Sequence, residues 1–196
     1  MPRKFGRALL ATTIAFAALA APSSAATTAC YSGPTSKPFA AWGDGASYFL
    51  VPGGNFESGL TGWKVSGASI VSGNEPWRVA GATNSKSLYL PAGASVTSPG
   101  FCGGLGYPTV RLFYKGGGLL LLTNLRVDVV YTDNAGLLRS FGLGTILPAS
   151  SWAPSLAMLT LSGLPLLTGS QLALKITAAG ASYSVDDVYV DPYSRH

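Results

Sequence analysis

The sequence predicts an all-β protein built from two packed antiparallel sheets. From Ser47 onward the apolar runs are short and turn residues separate them at close intervals, as in β-sandwiches. The 196 residues include 25 glycines and 13 prolines, and no long stretch has the 3.6-residue apolar period of a helix. About nine or ten strands are expected, which suits two sheets.

Each strand candidate is a short apolar or alternating segment. The best supported is a hairpin, in which segments 121–131 and 137–141 flank the turn Asp133-Asn134-Ala135-Gly136. The other predicted strands are residues 48–51, 63–71, 87–90, 95–97, 109–114, 156–161, 171–178 and 182–190.

Alternation within these strands predicts which side chains point outward, because successive residues of a strand face opposite sides of the sheet. The outward polar residues are expected to share the outer face of one sheet, either as a solvated surface with cross-strand pairs or as the polar floor of a ligand groove. They are Arg111, Lys115, Arg126, Asp128 and Lys175.

The N-terminus has the pattern of a secretory signal peptide spanning residues 1–26. Arg3, Lys4 and Arg7 precede a short apolar run over 8–21, and small residues follow at 23–26. Without this leader the net charge falls from +5 to +2, since ten basic residues face eight acids. No basic cluster remains, so nucleic acid is not an expected partner. We expect a secreted protein that does not stay in the membrane, because the apolar run is too short to span one well.

The rest of the chain divides into an extended arm over 27–46, a sandwich over 47–191 and a tail over 192–196. The only two cysteines of this exported chain predict a disulfide between Cys30 and Cys102. It closes a loop of about 70 residues, worth roughly 4 kcal/mol in the chain-entropy model. The bond is expected to hold the arm against the sandwich.

Catalysis has little support in the sequence. The single histidine is His196, the last residue, so a Ser-His-Asp or Cys-His arrangement would depend on a frayed terminus. Most of the acids stand in turns or have a structural explanation, which leaves no evident pair for a glycosidase. The chain is therefore predicted not to be an enzyme.

Two segments near the ends of the sandwich carry a family resemblance. Residues 52–63 read PGGNFESGLTGW and residues 185–190 read VDDVYV. Together they resemble the first and last strands of the carbohydrate-binding-module jelly rolls, which are galactose-binding-like β-sandwiches. The resemblance implies a two-sheet antiparallel jelly roll whose two chain ends meet.

The same resemblance implies a structural Ca²⁺. Glu57 and Asp186 match the family's side-chain ligands, and the loop 81–87, with Asn84, stands where a further oxygen ligand is expected. Asp186 is also expected on the same strand face as Val188, where a buried acid is costly unless paired or bound to a cation. The alternative is that Glu57 and Asp186 accept backbone N–H groups or pair with Lys86.

The loop 73–81 is the best sequence candidate for a ligand site. Trp77 follows an acid and a proline in a polar, glycine-bounded segment, and flat aromatic rings stack on sugars. The alternative is that Trp77 folds back onto the core. The predicted ligand-binding residues are Asn74, Glu75, Trp77 and Arg78. The family resemblance implies that Trp63 and Trp152 are structural, and Trp42 is expected to pack the arm.

Two functions remain open from the sequence. The first is a secreted, non-catalytic sandwich that binds carbohydrate or a cell-envelope polymer. The second is a structural or surface-assembly protein of the same fold, without a small ligand. Few charges and many Gly, Ser, Thr and Leu residues suit either one.

Overall fold

A computed structural model describes residue 1 and residues 31–102, 109–119, 122–133, 135–159 and 171–191. In these residues the chain is all-β apart from a single 3₁₀ turn at Ala40–Trp42. The strands are β1 Thr35–Ser36, β2 Tyr48–Leu50, β3 Lys64–Ser66, β4 Ser69–Ser72, β5 Lys86–Leu90, β6 Ser95–Thr97, β7 Phe101–Cys102, β8 Thr109–Gly116, β9 Asn124–Thr132, β10 Leu138–Ile146, β11 Ala149–Pro154, β12 Met158–Leu159, β13 Gln171–Ala179 and β14 Tyr183–Asp191.

The strands form two antiparallel sheets. The eight-stranded sheet has the order β1-β2-β14-β5-β4, with β8 along the other edge of β14 and β11 and β12 beyond β8. The six-stranded sheet has the order β10-β9-β13-β6-β3, with β7 also paired to β13. The predicted antiparallel sandwich is confirmed.

One apolar core lies between the sheets. Leu112 and Val185 of the eight-stranded sheet and Leu125, Val129 and Leu174 of the six-stranded sheet are fully buried in the same cluster. Period-2 alternation places these residues inward, as the sequence predicts for β8, β9 and β13. The predicted hairpin is also present, as β9 and β10, with Leu138 paired to Thr132.

Two predicted strands differ from the structure. Segment 63–71 forms two strands in different sheets, because Gly67 adopts a left-handed φ of 75° that ends β3 before β4 begins. Segment 156–161 contains only the short β12 within the described residues, while β11, before it, was not predicted. Gly, Pro and Ser near residue 150 hid its strand pattern.

The expectation of one polar outer face is wrong. Arg111 and Lys115 belong to β8 in the eight-stranded sheet, whereas Arg126, Asp128 and Lys175 belong to β9 and β13 in the six-stranded sheet. Alternation identifies the face of each strand but not the sheet to which the strand belongs.

The two ends of the sandwich meet, as expected. Leu50 of β2 pairs with Tyr189 of β14, and Val188 donates its N–H to the Gly54 carbonyl at 3.1 Å. The arm joins the same edge, because β1 pairs with β2. The predicted signal peptide after Met1, Cys30 and the tail 192–196 lie outside the described residues. In the described part of the chain no helix has the length and hydropathy of a membrane span.

Candidate functional sites

A bulge in β14 brings two acids beneath the loop 73–81. The register against β8 shifts between Asp186 and Tyr189, and Asp187 has a φ of 47°. The extra residue places both Val185 and Val188 in the core between the sheets. Asp186 is instead paired with Phe113, whose side chain packs on the outer face, so the expectation that Asp186 shares a face with Val188 is wrong.

Backbone groups of the loop are anchored by buried carboxylates. Glu75 is 1% exposed, and its two carboxylate oxygens accept the N–H groups of Trp77 and Val79. Glu75 itself donates its N–H to Asp186 at 3.2 Å, and the Ala80 N–H donates to an oxygen of Asp187 at 3.1 Å. Glu75 therefore shapes the loop from below rather than facing its outer surface.

Burial and repulsion between neighbouring carboxylates raise the pKa values of Asp186 and Asp187. Burial, followed by the charge of Asp187, raises the pKa of Asp186 to about 8. Burial also raises the pKa of Asp187 to about 7, with contributions from Glu75 and Glu57. The salt bridges in the described residues involve none of these four acids. The cluster is therefore costly to ionise unless a cation compensates it.

Glu57 holds the neighbouring loop. One carboxylate oxygen accepts the N–H groups of Ser85 and Lys86, both at 2.7 Å, and the Lys86 ammonium donates to the Glu57 backbone carbonyl at 2.8 Å. Glu57 and Asp186 thus accept backbone N–H groups from different segments, as in the alternative drawn from the sequence. Glu57 still acts electrostatically on Asp187.

The donor set fits a hard cation in part. Oδ1 of Asp187 is buried without a hydrogen-bond partner, and the carboxyl groups of Asp186 and Asp187 are fully buried. Carboxylate and carbonyl oxygens are what Ca²⁺ prefers. However, among the described residues no group of three or more His, Cys, Asp or Glu side chains is arranged to hold a metal. A cation would need backbone or amide oxygens in addition to two carboxylates.

Trp77 and Arg78 lie at the surface of the loop. Trp77 is 45% exposed and packs edge-to-face on Trp42, with ring centroids 4.9 Å apart, and against Phe113 at 5.5 Å. The exposed Arg78 donates to the Ala82 carbonyl at 2.7 Å. The half-buried Asn74 donates to the Glu75 carbonyl. The loop therefore presents one partly exposed indole rather than an open cleft.

The arm covers the outer face of the eight-stranded sheet over β2, β8 and β14. Phe39 is fully buried among Tyr48, Phe113 and Tyr189, with ring centroids 5.1–5.7 Å from its own. The Arg111 guanidinium lies 4.1 Å over the Phe39 ring. Trp42 and Trp152 pack against this cluster, and Trp63 is buried in the core between the sheets, as expected for structural tryptophans.

Arg111 is fastened to the arm by a partly buried salt bridge. Its Nη1 lies 2.6 Å from Asp44, and its Nε donates to the Ser155 carbonyl at 2.9 Å. Burial opposes ionisation of Asp44, but hydrogen bonds from Tyr48 and Arg111 outweigh it and lower the Asp44 pKa. The Tyr48 hydroxyl donates to Asp44 at 2.7 Å.

The outer face of the six-stranded sheet bears an open groove of about 650 Å³. It runs across β10, β9, β13, β6 and β3, and most of its lining side chains carry hydroxyl, amide or ammonium groups. In the described lining Tyr131 is the only aromatic residue, and no carboxylate is present. The polar lining residues used below are Lys64, Ser66, Ser95, Thr97, Arg139, Ser140, Gln171 and Lys175.

The sequence prediction missed most of this groove. Lys175 was placed on an outer face, but Lys64 and Thr97 were not singled out. Their strands read Lys-Val-Ser and Ser-Val-Thr, with a central valine flanked by polar residues. That alternation indicates an outward polar pair on each strand, yet it does not show that the strands are neighbours. Asp187 was also not predicted as a site residue. Two adjacent acids in one strand nevertheless indicate that the inward–outward alternation of side chains is interrupted there.

Comparisons with known proteins agree with the fold. No protein-family model matches the sequence, and no curated protein matches it at a significant level. The structure is similar to the CBM22-1 and GH10 modules of Clostridium thermocellum endo-1,4-β-D-xylanase 10B complexed with xylohexaose, with a TM-score of 0.52 and 16% identity over 70% of this chain and 27% of that one. It is also similar to the CBM22-1 and CBM22-2 tandem of Paenibacillus barcinonensis, with a TM-score of 0.52 and 15% identity over 76% of this chain and 46% of that one. The chain therefore has the jelly-roll β-sandwich fold of carbohydrate-binding modules, as its end segments predict.

Proposed function

We propose that this protein is an exported, non-catalytic protein that binds a polysaccharide in the groove of the six-stranded sheet. The fold hosts carbohydrate-binding modules, but a fold by itself does not assign a ligand. The observation that carries the proposal is the groove itself, an open channel across five strands with a polar lining. An extended polymer suits such a channel better than a small molecule, which is usually enclosed.

The lining supplies the groups that recognise sugar hydroxyls. Thr97 and Ser95 of β6 alternate with the inward Val96, and Gln171 lies at the start of β13. Hydroxyl and amide side chains both donate and accept hydrogen bonds, as sugar hydroxyls do. Tyr131, the only aromatic residue in the described lining, packs against the core between the sheets, so hydrogen bonding is expected to contribute more than stacking.

Affinity gel electrophoresis against a panel of soluble polysaccharides tests the proposal. Retardation by at least one polysaccharide is expected, and Thr97→Val should weaken it about threefold to tenfold, since one lost hydrogen bond costs about 1 kcal/mol. Thr35→Val is the matched control, because Thr35 is exposed on β1 in the other sheet. Failure of every polysaccharide to retard the protein, or equal effects of both variants, would contradict the proposal.

The calcium expectation becomes a second proposal. We propose that Glu57, Asn84 and Asp186 surround a structural Ca²⁺, with the unpartnered oxygen of Asp187 nearby. Support comes from the absence of a basic partner for the buried acids in the described residues. A ligand that binds only the folded state stabilises it by about 2.7 kcal/mol at 100 times Kd. The protein should therefore melt at a lower temperature in chelator than in millimolar Ca²⁺. Equal melting temperatures would refute the site.

The loop residues Asn74, Trp77 and Arg78 remain a proposed second ligand site, separate from the groove, with Glu75 holding the loop. The half-exposed Trp77 ring supports a stacking role.

The disulfide also remains a proposal, because Cys30 lies outside the described residues. Cys102 donates its N–H to the carbonyl of Tyr31, the residue after Cys30, which supports the pairing. Mass analysis under non-reducing conditions that finds two free thiols would reject it.

An assembly role is supported by a different observation. Several leucines of loops and strand ends are exposed, including Leu119, Leu122, Leu138 and Leu156, which are 69–87% exposed. Exposed apolar patches often mark contacts with other proteins. Light scattering over a hundredfold concentration range tests this role, and a constant monomeric mass would argue against it.

A further inference from the structure

The groove carries a net positive charge, which the binding of neutral sugar hydroxyls alone does not need. Four cations lie in or beside the groove, and two of them are neutralised. Arg126 binds Asp128 at 2.8 Å, and Arg139 binds Asp133 at 2.7 Å. Lys64 and Lys175 form no salt bridge with a described carboxylate. The uncompensated charge of the groove is therefore carried by two lysines.

Lys64 and Lys175 lie on either side of Thr97. Thr97 pairs with Lys64 on one neighbouring strand and with Lys175 on the other. Adjacent strands lie about 4.8 Å apart, so the two lysine backbones are about 10 Å apart across the row. Both side chains line the groove with Thr97. Long flexible ammonium groups on the two flanks can therefore converge on one anionic group above the threonine.

We propose that the groove binds a polysaccharide bearing carboxylate groups, such as a uronate polymer, with Lys64 and Lys175 clamping a carboxylate over Thr97. This inference rests on the proposed function and specifies its ligand class. The described lining contains no acid, and Asp128, which pairs with Lys175 on the neighbouring strand, is already bound by Arg126, so the two lysines attract an anionic polymer. The surrounding serines, Thr97 and Gln171 then bind the sugar hydroxyls, which a simple polyanion lacks.

The sparse charge also distinguishes this site from one for nucleic acid. Phosphate-backbone binding normally relies on many clustered Lys and Arg residues, and its affinity falls steeply with salt. Two unpaired lysines among neutral hydroxyl and amide groups suit a polymer whose charges are interspersed with hydroxyls.

The test compares polygalacturonate with its carboxyl-reduced form, which keeps the sugar chain and loses the charge. Titration calorimetry in chelator, with the full exported chain, should show at least tenfold tighter binding to polygalacturonate. Lys64→Gln and Lys175→Gln should each weaken it about threefold to fivefold, since exposed charge pairs contribute up to about 1 kcal/mol. Lys37→Gln removes the same charge from the exposed arm and should have no effect.

The outcomes separate this inference from the proposed function. Equal binding of the two polymers, unaffected by either groove variant, would overturn the carboxylate clamp but leave carbohydrate binding intact. Equal binding of poly-L-glutamate and polygalacturonate would also overturn it, because recognition would then need no sugar. If neither polygalacturonate nor any neutral polysaccharide binds, both proposals fail.

Discussion

The outer face of the eight-stranded sheet is covered over β2, β8 and β14 by the arm and the loop 73–81, whereas the outer face of the six-stranded sheet bears an open groove. On the covered face an outward arginine is buried beneath Phe39, and two adjacent aspartates are buried beneath the loop 73–81. On the open face most outward polar residues that line the groove keep their contact with solvent, while the buried Asp128 beside it is bound by Arg126.

This difference shows that an outward polar residue has two possible roles. Under a cover it must be satisfied by a specific partner, as Arg111 is by Asp44, and it then fixes the cover in place. On an open face the residue can exchange its bound water for a ligand. The covered face is therefore expected to determine stability and the open face binding, and four predictions test that division.

The largest effect is expected for Phe39→Ala. This side chain is fully buried and contacts several rings on the covered face. Removing a buried phenylalanine costs about 3–5 kcal/mol of unfolding free energy. Chemical denaturation measures the loss. Val65→Ala, at an exposed position of β3, should change stability by less than about 0.5 kcal/mol. Similar losses in both variants would contradict the division between the faces.

Asp44→Asn should destabilise the arm by about 3 kcal/mol at neutral pH, because it leaves the buried Arg111 charge without its partner. The Asp44 pKa is lowered in the folded state, so its contribution is present above the ordinary carboxyl pKa of 3.8 and is lost as the pH falls through the folded value. The difference in melting temperature between Asp44→Asn and wild type should accordingly shrink in acid. A difference that stays constant with pH would exclude this salt bridge as its source.

Asp187→Asn should have the opposite pH dependence. The folded pKa of Asp187 is raised to about 7, so the neutral form is favoured on folding and stability falls as the pH rises from about 4 through 7. Asparagine keeps an acceptor for the Ala80 N–H and tolerates the left-handed backbone. In chelator at pH 8 the variant should be more stable than wild type, on the order of 2 kcal/mol, since each pKa unit corresponds to about 1.4 kcal/mol. The gain should vanish near pH 4.

Adding Ca²⁺ extends the prediction for Asp187→Asn to the proposed cation site. If the proposed cation binds beside Asp187, it stabilises the ionised wild type more than the variant. The advantage of Asp187→Asn at pH 8 should then decrease or reverse in millimolar Ca²⁺. An unchanged advantage would argue against a cation at the bulge.

The smallest stability effect is expected for Trp77→Ala. Its ring is only half-buried, so we expect a loss of about 1–2 kcal/mol, less than for a core aromatic. Polysaccharide binding in the groove should be unchanged, because the loop lies on the opposite outer face. Loss of binding in a variant that remains folded by circular dichroism would instead place the ligand at the loop.

Much of the fold follows from the sequence, because period-2 alternation and turn residues act locally. They identify the β9–β10 hairpin and the inward residues of β8, β9 and β13. The resemblance of the end segments adds that β2 and β14 meet. The division of segment 63–71 between two sheets was not foreseen, because which sheet a strand joins depends on long-range pairing.

The sites show the same limit more clearly. The sequence by itself determined that three of the eight acids lie in segments 52–63 and 185–190 and that polar residues alternate along β3, β6 and β13. Only the tertiary structure decided that a bulge turns Asp186 away from the core, that the arm covers one face, and that Lys64 and Lys175 flank Thr97. The physical reason is that side-chain alternation is set within a strand, whereas a site is made by neighbours that are distant in the chain and are brought together by sheet pairing.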